Sequence, residues 1–262
     1  MHSKSPFIQS IFSVSDLPKG TAFFLSFLVF FFSSVSFSYS AQAVDEATVL
    51  KGKRVYQRYC YGCHGYTGNG NGPYAKGLNP KPRNFTKGIF KWTSGPSGSV
   101  PSDSDLDMTI SEGVHGTTMP PWRALRASDR HYVIAYIKTF SSRFTKEAPA
   151  REVFNYPSAP ANTPAMIENG KKTFAKIGCS ACHGTSGRGD GPSAATLTDD
   201  WGDPIQPANF TKGVFKTGNK EWKIFRTISN GVGGTPMPSF ADQLEPAEIW
   251  ELVYYVRSLK GE

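Results

Sequence analysis

Apolar residues recur at helical spacing in six segments after residue 44: 47–59, 104–113, 128–141, 164–177, 220–231 and 246–259. The last segment opens with Pro246, which suits the first turn of a helix, and it places Ile249, Val253 and Val256 on one face. Ser102 and Asp105 form a capping pattern ahead of the second segment. Convincing alternation of apolar and polar residues is absent, so the pattern predicts an all-α fold.

The predicted helices fall into two sets of three, because four sequence blocks recur in the same order at offsets of 118 to 125 residues. The block pairs are 60–65 with 179–184, 68–73 with 187–192, 84–91 with 209–216, and 109–114 with 227–232. Their order indicates a duplication, and the drifting offset places insertions in loops near 94–102 and 198–204. The sequence predicts one domain at 44–145, a proline-rich linker at 146–164 and a second domain at 165–262.

The first 43 residues have the pattern of a secretory signal peptide. Lys4 and Lys19 precede or flank an apolar run at 22–32, and Ala41-Gln42-Ala43 matches a small-x-small cleavage site. We expect cleavage after Ala43; the alternative is a retained segment that associates the protein with a membrane. Either reading predicts an exported protein, periplasmic or otherwise outside the cytoplasm.

Charge narrows the range of partners. The whole chain has a formal net charge of +8, and loss of residues 1–43 leaves +7. A basic protein of this kind is attracted to acidic protein surfaces, although well-distributed lysines also serve solubility. Because the chain lacks a nucleic-acid motif and any dense basic run, nucleic acid is not expected as a partner.

Each half contains one Cys-x-x-Cys-His motif, Cys60-Tyr61-Gly62-Cys63-His64 and Cys179-Ser180-Ala181-Cys182-His183. In this motif the two thiols form thioethers with haem vinyl groups and the adjacent His binds the iron as proximal ligand. A redox-active dithiol would not require His at this position twice, and each pair lacks a second Cys/His pair at zinc spacing. We therefore predict two haem c groups.

The distal iron ligand separates electron carriers, which fill both axial positions, from haem enzymes, which leave one open. Met119 and Met237 lie in Gly/Pro-rich loops at an offset of 118, and each is followed by Pro. We predict that they are the distal ligands. Met108 and Met166 occupy positions that favour packing.

The remaining candidates are weaker. His115 lies near Met119 but aligns with Gly233, so the repeat does not support it as a ligand, and His131 suits packing or the surface. Arg83, Asn84 and Asn209 precede the repeated Phe-Thr-Lys-Gly sequence and are candidates for contacts with haem propionates. Aromatic residues are expected to pack around the macrocycles, namely Phe90, Trp92, Trp122, Phe215 and Phe240.

On these residues, each half resembles a class I cytochrome c. In that family a Gly of the first helix packs against an aromatic residue of the last, and Gly52 with Tyr136 and Gly170 with Tyr255 match those positions. The tandem order resembles dihaem carriers of the cytochrome c4 type, while the repeated 84–91 block is more similar to cytochromes that serve periplasmic respiratory oxidoreductases. The resemblance implies two tandem class I domains, each a few helices wrapped around one covalent haem.

Three functions remain in competition. The favoured one is electron transfer between respiratory redox partners, without enzymatic activity of the chain itself. The second is electron relay as a dihaem subunit of a larger periplasmic oxidoreductase complex. The third is a dihaem enzyme such as a peroxidase, which needs an open iron site and is disfavoured by the two Met candidates.

Overall fold

The structure, a computed structural model, describes residues 45–149 and 156–261, which belong to one compact unit. The predicted signal peptide lies outside the described residues. In chain order the helices are α1 (Glu46–Tyr59), α2 (Tyr61–His64), α3 (Asp103–Glu112), α4 (Ala127–Lys138), α5 (Arg143–Lys146), α6 (Pro164–Lys176), α7 (Ser180–His183), α8 (Glu221–Asn230) and α9 (Pro246–Ser258). Short 3₁₀ turns occur at Ala194–Thr196 and Phe210–Lys212.

The all-α prediction is confirmed for the described residues, where extended pairing is limited to an isolated bridge between Thr198 and Pro204. All six predicted helices are present. The predicted helix 128–141 is α4, which ends at Lys138, three residues before the predicted Ser141. The short helices α2, α5 and α7 were not predicted. The predicted linker also overlaps helices at both ends, because Lys146 ends α5 and Pro164 begins α6. The exact domain boundaries stay a prediction.

Local side-chain bonds explain where the main helices begin. Asp45 accepts hydrogen bonds from the backbone N–H groups of Ala47 and Thr48 at the start of α1. Ser102 and Asp105 form the predicted capping box ahead of α3. The side chain of Thr163 caps α6, whose first residue is Pro164.

Two helix pairs with glycine at their crossings form the scaffold, α1 on α4 and α6 on α9. A Cβ added to Gly52 would lie 1.9 Å from the carbonyl oxygen of Tyr132 and 2.8 Å from Cβ of Tyr136. A Cβ at Gly170 would lie 2.1 Å from the carbonyl oxygen of Glu251 and 2.8 Å from Cβ of Tyr255. The predicted Gly–aromatic contacts are therefore confirmed in both halves.

Each half has its own hydrophobic core. The first is centred on Tyr56, Val133 and Ile134, and the second on Phe174, Leu252 and Val253. The second core also takes in Tyr156, which follows the undescribed residues 150–155. The part of the predicted linker beyond residue 155 thus packs on the second half, and Tyr254 Oη donates a hydrogen bond to the carbonyl of Pro160.

The two halves meet at a seam with approximate twofold symmetry. The backbone N–H of His115 donates to the carbonyl of Lys216 at 3.0 Å, and the backbone N–H of Gly233 donates to the carbonyl of Lys91 at 2.9 Å. His115 aligns with Gly233 in the repeat, and Lys91 aligns with Lys216. Each half therefore presents its loop after α3 or α8 to the end of the other half's repeated block.

Ionic contacts between α3 and α8 reinforce the seam. Lys223 pairs with Glu112, and Arg226 Nη1 lies 3.5 Å from Asp105 Oδ1. Asn230 Nδ2 donates to the carbonyl of Thr93 at 3.0 Å. Asp105 and Arg226 side chains are almost completely buried, so the seam excludes water where these two charges meet.

Candidate haem sites

The Cys-x-x-Cys-His motifs occupy one-turn helices, α2 and α7, that directly follow α1 and α6. All four cysteines are half-buried and none forms a disulfide in the described residues. Burial raises the pKa of the Cys60 thiol to about 12 and that of Cys179 to about 11. A dithiol oxidoreductase needs an attacking thiol with a lowered pKa, so these values argue against a redox-active pair.

Both motif histidines are oriented by a backbone carbonyl. His64 Nδ1 donates to the carbonyl of Arg83 at 2.9 Å, and His183 Nδ1 donates to the carbonyl of Ala208 at 3.1 Å. Burial lowers the pKa of both imidazoles, which favours the neutral form. A neutral imidazole that donates through Nδ1 leaves the Nε2 lone pair for a metal, which is the tautomer that a haem-ligating His requires.

The repeated block supplies an aromatic wall behind each His. Phe85 stacks on His64 with ring centroids 4.5 Å apart, and Phe210 stacks on His183 at 4.7 Å. A second stacked phenylalanine follows in each half, Phe90 at 5.7 Å from Phe85 and Phe215 at 5.9 Å from Phe210. This explains why the Asn-Phe-Thr-Lys-Gly-(Ile/Val)-Phe-Lys block recurs, since it both orients and covers the histidine.

The glycine-rich loops return to the attachment motifs. Gly70 N–H donates to the carbonyl of His64 at 2.9 Å, and Gly189 N–H donates to the carbonyl of His183 at 2.8 Å. A Cβ at Gly72 would lie 2.3 Å from the carbonyl oxygen of Gly62. Glycine is required there by a close approach to the motif backbone.

The two methionine loops have the same construction. Val114 N–H donates to the carbonyl of Met119 at 3.0 Å, and Thr117 Oγ1 accepts from Met119 N–H at 3.1 Å. The second loop repeats these bonds between Val232, Thr235 and Met237 at 3.1 and 3.3 Å. Both Met side chains are half-buried, and that of Met237 packs on the second core.

The other predicted candidates lie in turns, at the exposed surface or at the seam. Asn84 Oδ1 accepts from both N–H and Oγ1 of Thr86, and Asn209 Oδ1 does the same with Thr211, so each amide oxygen stabilises a turn. Their role as propionate contacts stays a prediction. His115 and His131 are exposed, the first at the seam. Met108 Sδ lies 3.6 Å from Arg226 Nη1 across the seam.

Sequence reasoning named Arg83 but missed Lys91 and Lys216, which together with it form a group of half-buried cations beside the first motif. Burial lowers the pKa of Arg83 to about 10, and burial together with the Arg83 and Lys216 charges lowers that of Lys91 to about 8. Burial also lowers the pKa of Lys216. The sequence signal for these cations was the lysine that ends both copies of the repeated block, Lys91 and Lys216. A cofactor that carries carboxylates fits this cluster, because its negative charge would stabilise cations that burial has deprived of water.

The donor set as a whole fits a covalently attached haem. Each half offers two unpaired cysteines, a His with a free Nε2, an aromatic wall and a half-buried Met in a constrained loop. When bound, haem supplies a one-electron iron couple, and the protein sets its potential through ligands, burial and nearby charge.

Comparison with known families gives a match in each half. Residues 167–260 match the family described as Cytochrome c, and residues 47–137 match the family described as Cytochrome C oxidase, cbb3-type, subunit III. Curated relatives include the Cbb3-type cytochrome c oxidase subunit FixP of Azorhizobium caulinodans, 26% identical over 80% of this chain, and that of Bradyrhizobium sp. (strain ORS 278), 28% identical over 80%. The chain spans only 59% and 61% of the length of these two relatives.

A solved structure matches more completely. A chain of the Kuenenia stuttgartiensis reducing HAO-like protein complex is 44% identical, with a TM-score of 0.78. The match covers 80% of the present chain and 96% of that chain. Within 45–149 and 156–261, every helix is too short or too polar to cross a bilayer. The fold, the duplicated motifs and these matches together show that the chain carries two covalent haem c groups and belongs to the class I c-type cytochromes in their tandem form.

Proposed function

We propose that this cytochrome transfers electrons between respiratory redox partners outside the cytoplasm, through two haems that each have His and Met as axial ligands. The observation that carries the proposal is the identical construction of the two Met loops, which hold Met119 and Met237 half-buried after α3 and α8. A surface Met with no task would not require the same threonine and carbonyl bonds in both halves. Six-coordinate irons suit electron transfer, since neither offers a vacant position to a substrate.

Optical spectroscopy of the ferric protein tests the ligation. We expect Met119→Ala and Met237→Ala each to abolish part of the methionine-to-iron charge-transfer band, and the double variant to abolish all of it. Met166→Leu, which alters a methionine packed on the second core, is the matched control and should leave the band intact. An unchanged band in both alanine variants would show that the ligands are elsewhere, and a high-spin spectrum with peroxide turnover in the unmodified protein would favour an enzyme.

A second candidate is electron relay within a larger oxidoreductase complex. It is favoured by the 44% identity to a chain of the reducing HAO-like complex, a match that covers nearly all of that chain. Purification from the native source under mild conditions separates the two proposals. A stoichiometric catalytic subunit that stays bound at high salt supports the complex, whereas a free dihaem protein supports a diffusing carrier.

The N-terminal segment completes the proposal. Export follows from the signal pattern ahead of Ala43. The intact mass of the purified protein tests it, because cleavage predicts a mature chain that starts at Val44. A mass that includes residues 1–43 would support the membrane-anchor alternative.

A further inference from the structure

A cleft of about 250 Å³ lies at the seam, beside the first haem-attachment motif. Arg83 and Lys91 line it from the first half, while Asp199, Trp201 and Asp203 line it from the second. The latter three belong to the 198–204 insertion, which has no counterpart in the first half. Lys81 and Asp203 pair across this cleft at 2.6 Å.

Trp201 is held firmly by its surroundings. A Cβ at Gly234 would lie 2.8 Å from Cζ3 and 3.1 Å from Cη2 of Trp201, so the six-membered ring packs against the second Met loop. The Arg83 guanidinium stands 4.4 Å from the centroid of the Trp201 ring. Cζ3 and Cη2 lie on the side of the indole away from Nε1, which leaves the N–H edge outside the Gly234 contact.

Three donor groups at this cleft, from Trp201, Arg83 and Lys91, have no hydrogen-bonded acceptor among the described residues. Trp201 Nε1 is buried and has no partner among the described residues. Within the same residues, the side chains of Arg83 and Lys91 form no ion pair at 4.0 Å or less, and Asp199 and Asp200 act on Arg83 only from a greater distance. A buried indole N–H without an acceptor costs free energy, and buried cations need an anion nearby. One carboxylate placed between them would accept from all three donors.

We propose that a propionate carboxylate of the first haem occupies this cleft and accepts hydrogen bonds from Trp201 Nε1, Arg83 and Lys91. The backbone carbonyl of Arg83 accepts from Nδ1 of the proximal His64, and Arg83 also lines the cleft. The cleft therefore adjoins the first haem site through Arg83. The second half thereby completes the binding site of the first haem. Because the first half lacks an equivalent insertion, this contribution has no reciprocal counterpart, and the two haem sites are unequal.

The inference rests on the proposed electron-transfer function, because both concern the same haems. Its consequence is a shift in reduction potential, which is measured separately from the Met ligation. Donors that partly neutralise a propionate raise the reduction potential of the iron, because less negative charge remains to stabilise the ferric state. Removal of the Trp201 N–H should therefore lower the potential of the first haem more than that of the second, whose Met loop packs against the six-membered ring of Trp201 and not against its N–H.

Redox titration of the full-length holoprotein, followed optically, tests this. Trp201→Phe keeps an aromatic ring and removes the N–H, and we expect one of the two waves to move to lower potential. Phe85→Leu and Phe210→Leu assign the waves, since each ring stacks on one proximal His. Trp250→Phe is the matched control, because Trp250 Nε1 is also buried without a described partner but lies in the second core.

A second pair of variants tests the charge. Lys91→Gln should lower the first wave, whereas Lys87→Gln removes an exposed lysine of the same block and should shift it much less. Unchanged potentials in both Trp201→Phe and Lys91→Gln would overturn the proposal. It would also fail if the shifts appeared only with added inorganic phosphate, which would identify a free anion as occupant. Neither failure alters the charge-transfer band that tests Met ligation.

Discussion

The two halves of this cytochrome share an interior and differ in their surfaces. The motif His is stacked on a phenylalanine and hydrogen-bonded to a backbone carbonyl with nearly the same geometry in both halves. The stacking and hydrogen-bond distances are 4.5 and 2.9 Å in the first half and 4.7 and 3.1 Å in the second. Outside this shared frame the sequences diverge. Residues 45–149 contain 15 Lys and Arg against 8 Asp and Glu, whereas residues 156–261 contain 11 against 10.

The two halves also differ in the tyrosines near the attachment motif, which are present only in the first half. Tyr66 stacks on Tyr61 at 4.4 Å, and Tyr66 and Tyr74 are 63% and 70% exposed. The second half has Ser or Thr at all three aligned positions, Ser180, Thr185 and Ser193. Haem attachment constrains what lies behind the motif in both halves, while the surface in front of it has changed freely. The basic, tyrosine-bearing first half and the nearly neutral second half are thus suited to different neighbours.

The shared interior is tested most severely at the helix crossings. Gly52→Ala and Gly170→Ala would each place a methyl group about 2 Å from a backbone carbonyl oxygen, and backbone cannot move aside as a side chain can. We expect each variant to lose about 3 kcal/mol of unfolding free energy, at the upper end of overpacking costs. Denaturant titration monitored by circular dichroism measures the loss.

Lys53→Ala, on the exposed side of α1, is the control for helix propensity and should change stability little. Equal losses at the two glycines would sharpen the view that the scaffolds are equivalent. A large loss at one crossing alone would contradict it.

Asp105 breaks the symmetry inside the seam. Its carboxylate accepts from Ser94 N–H, Ser94 Oγ and Ser102 N–H and faces Arg226, whereas its aligned residue in the second half is Lys223. Asp105→Ala would remove the carboxylate that faces the buried Arg226 and the reciprocal half of the α3 capping box, at a cost of about 3 kcal/mol or more. Thermal unfolding followed by calorimetry measures the effect.

Asp103→Ala provides the comparison, because the Asp103–Lys138 pair is partly exposed and should contribute less than about 1 kcal/mol. If the two variants were equally stable, the seam charges would not hold the halves together in the way described.

Elements set by local sequence could be predicted, and those set by contacts between halves could not. The Ser102–Asp105 capping box and the six helices were predicted, because each depends on residues a few positions apart or on helical periodicity. The Gly–aromatic crossings join distant residues and were implied only by the resemblance to class I cytochromes c. The end of α4 at Lys138 was missed, since helical spacing continues to Phe140 while the backbone turns into α5.

The candidate site shows the same division. The repeat identified the motifs and the Met loops, but nothing in the order of residues indicated that Trp201 would lie over Arg83, 118 positions earlier in the chain. Asn84 and Asn209 were predicted to contact haem propionates, and their Oδ1 atoms stabilise turns. The turn bonds could not be read from the sequence, and the propionate contacts stay a prediction.

Substitutions that reverse surface charge should affect stability least, and they compare the functions of the two halves most directly. Lys53 and Arg54 on α1 align with Lys171 and Lys172 on α6, and all four are exposed. We expect Lys53→Glu with Arg54→Glu to slow electron exchange with an acidic redox protein by about tenfold at low salt, because association is steered by the net charge of the surface that docks. Stopped-flow kinetics over a range of ionic strength measures the rate.

The aligned double variant, Lys171→Glu with Lys172→Glu, carries the same change in charge on the nearly neutral half and should slow the reaction much less. Both effects should fade as salt screens the exposed charges. Unfolding free energies should stay within about 0.5 kcal/mol of the parent, as is usual for surface substitutions, so a difference in rate would come from docking. Equal slowing by the two variants would mean that the halves meet acidic partners alike, and the divergence of their surfaces would then need another cause.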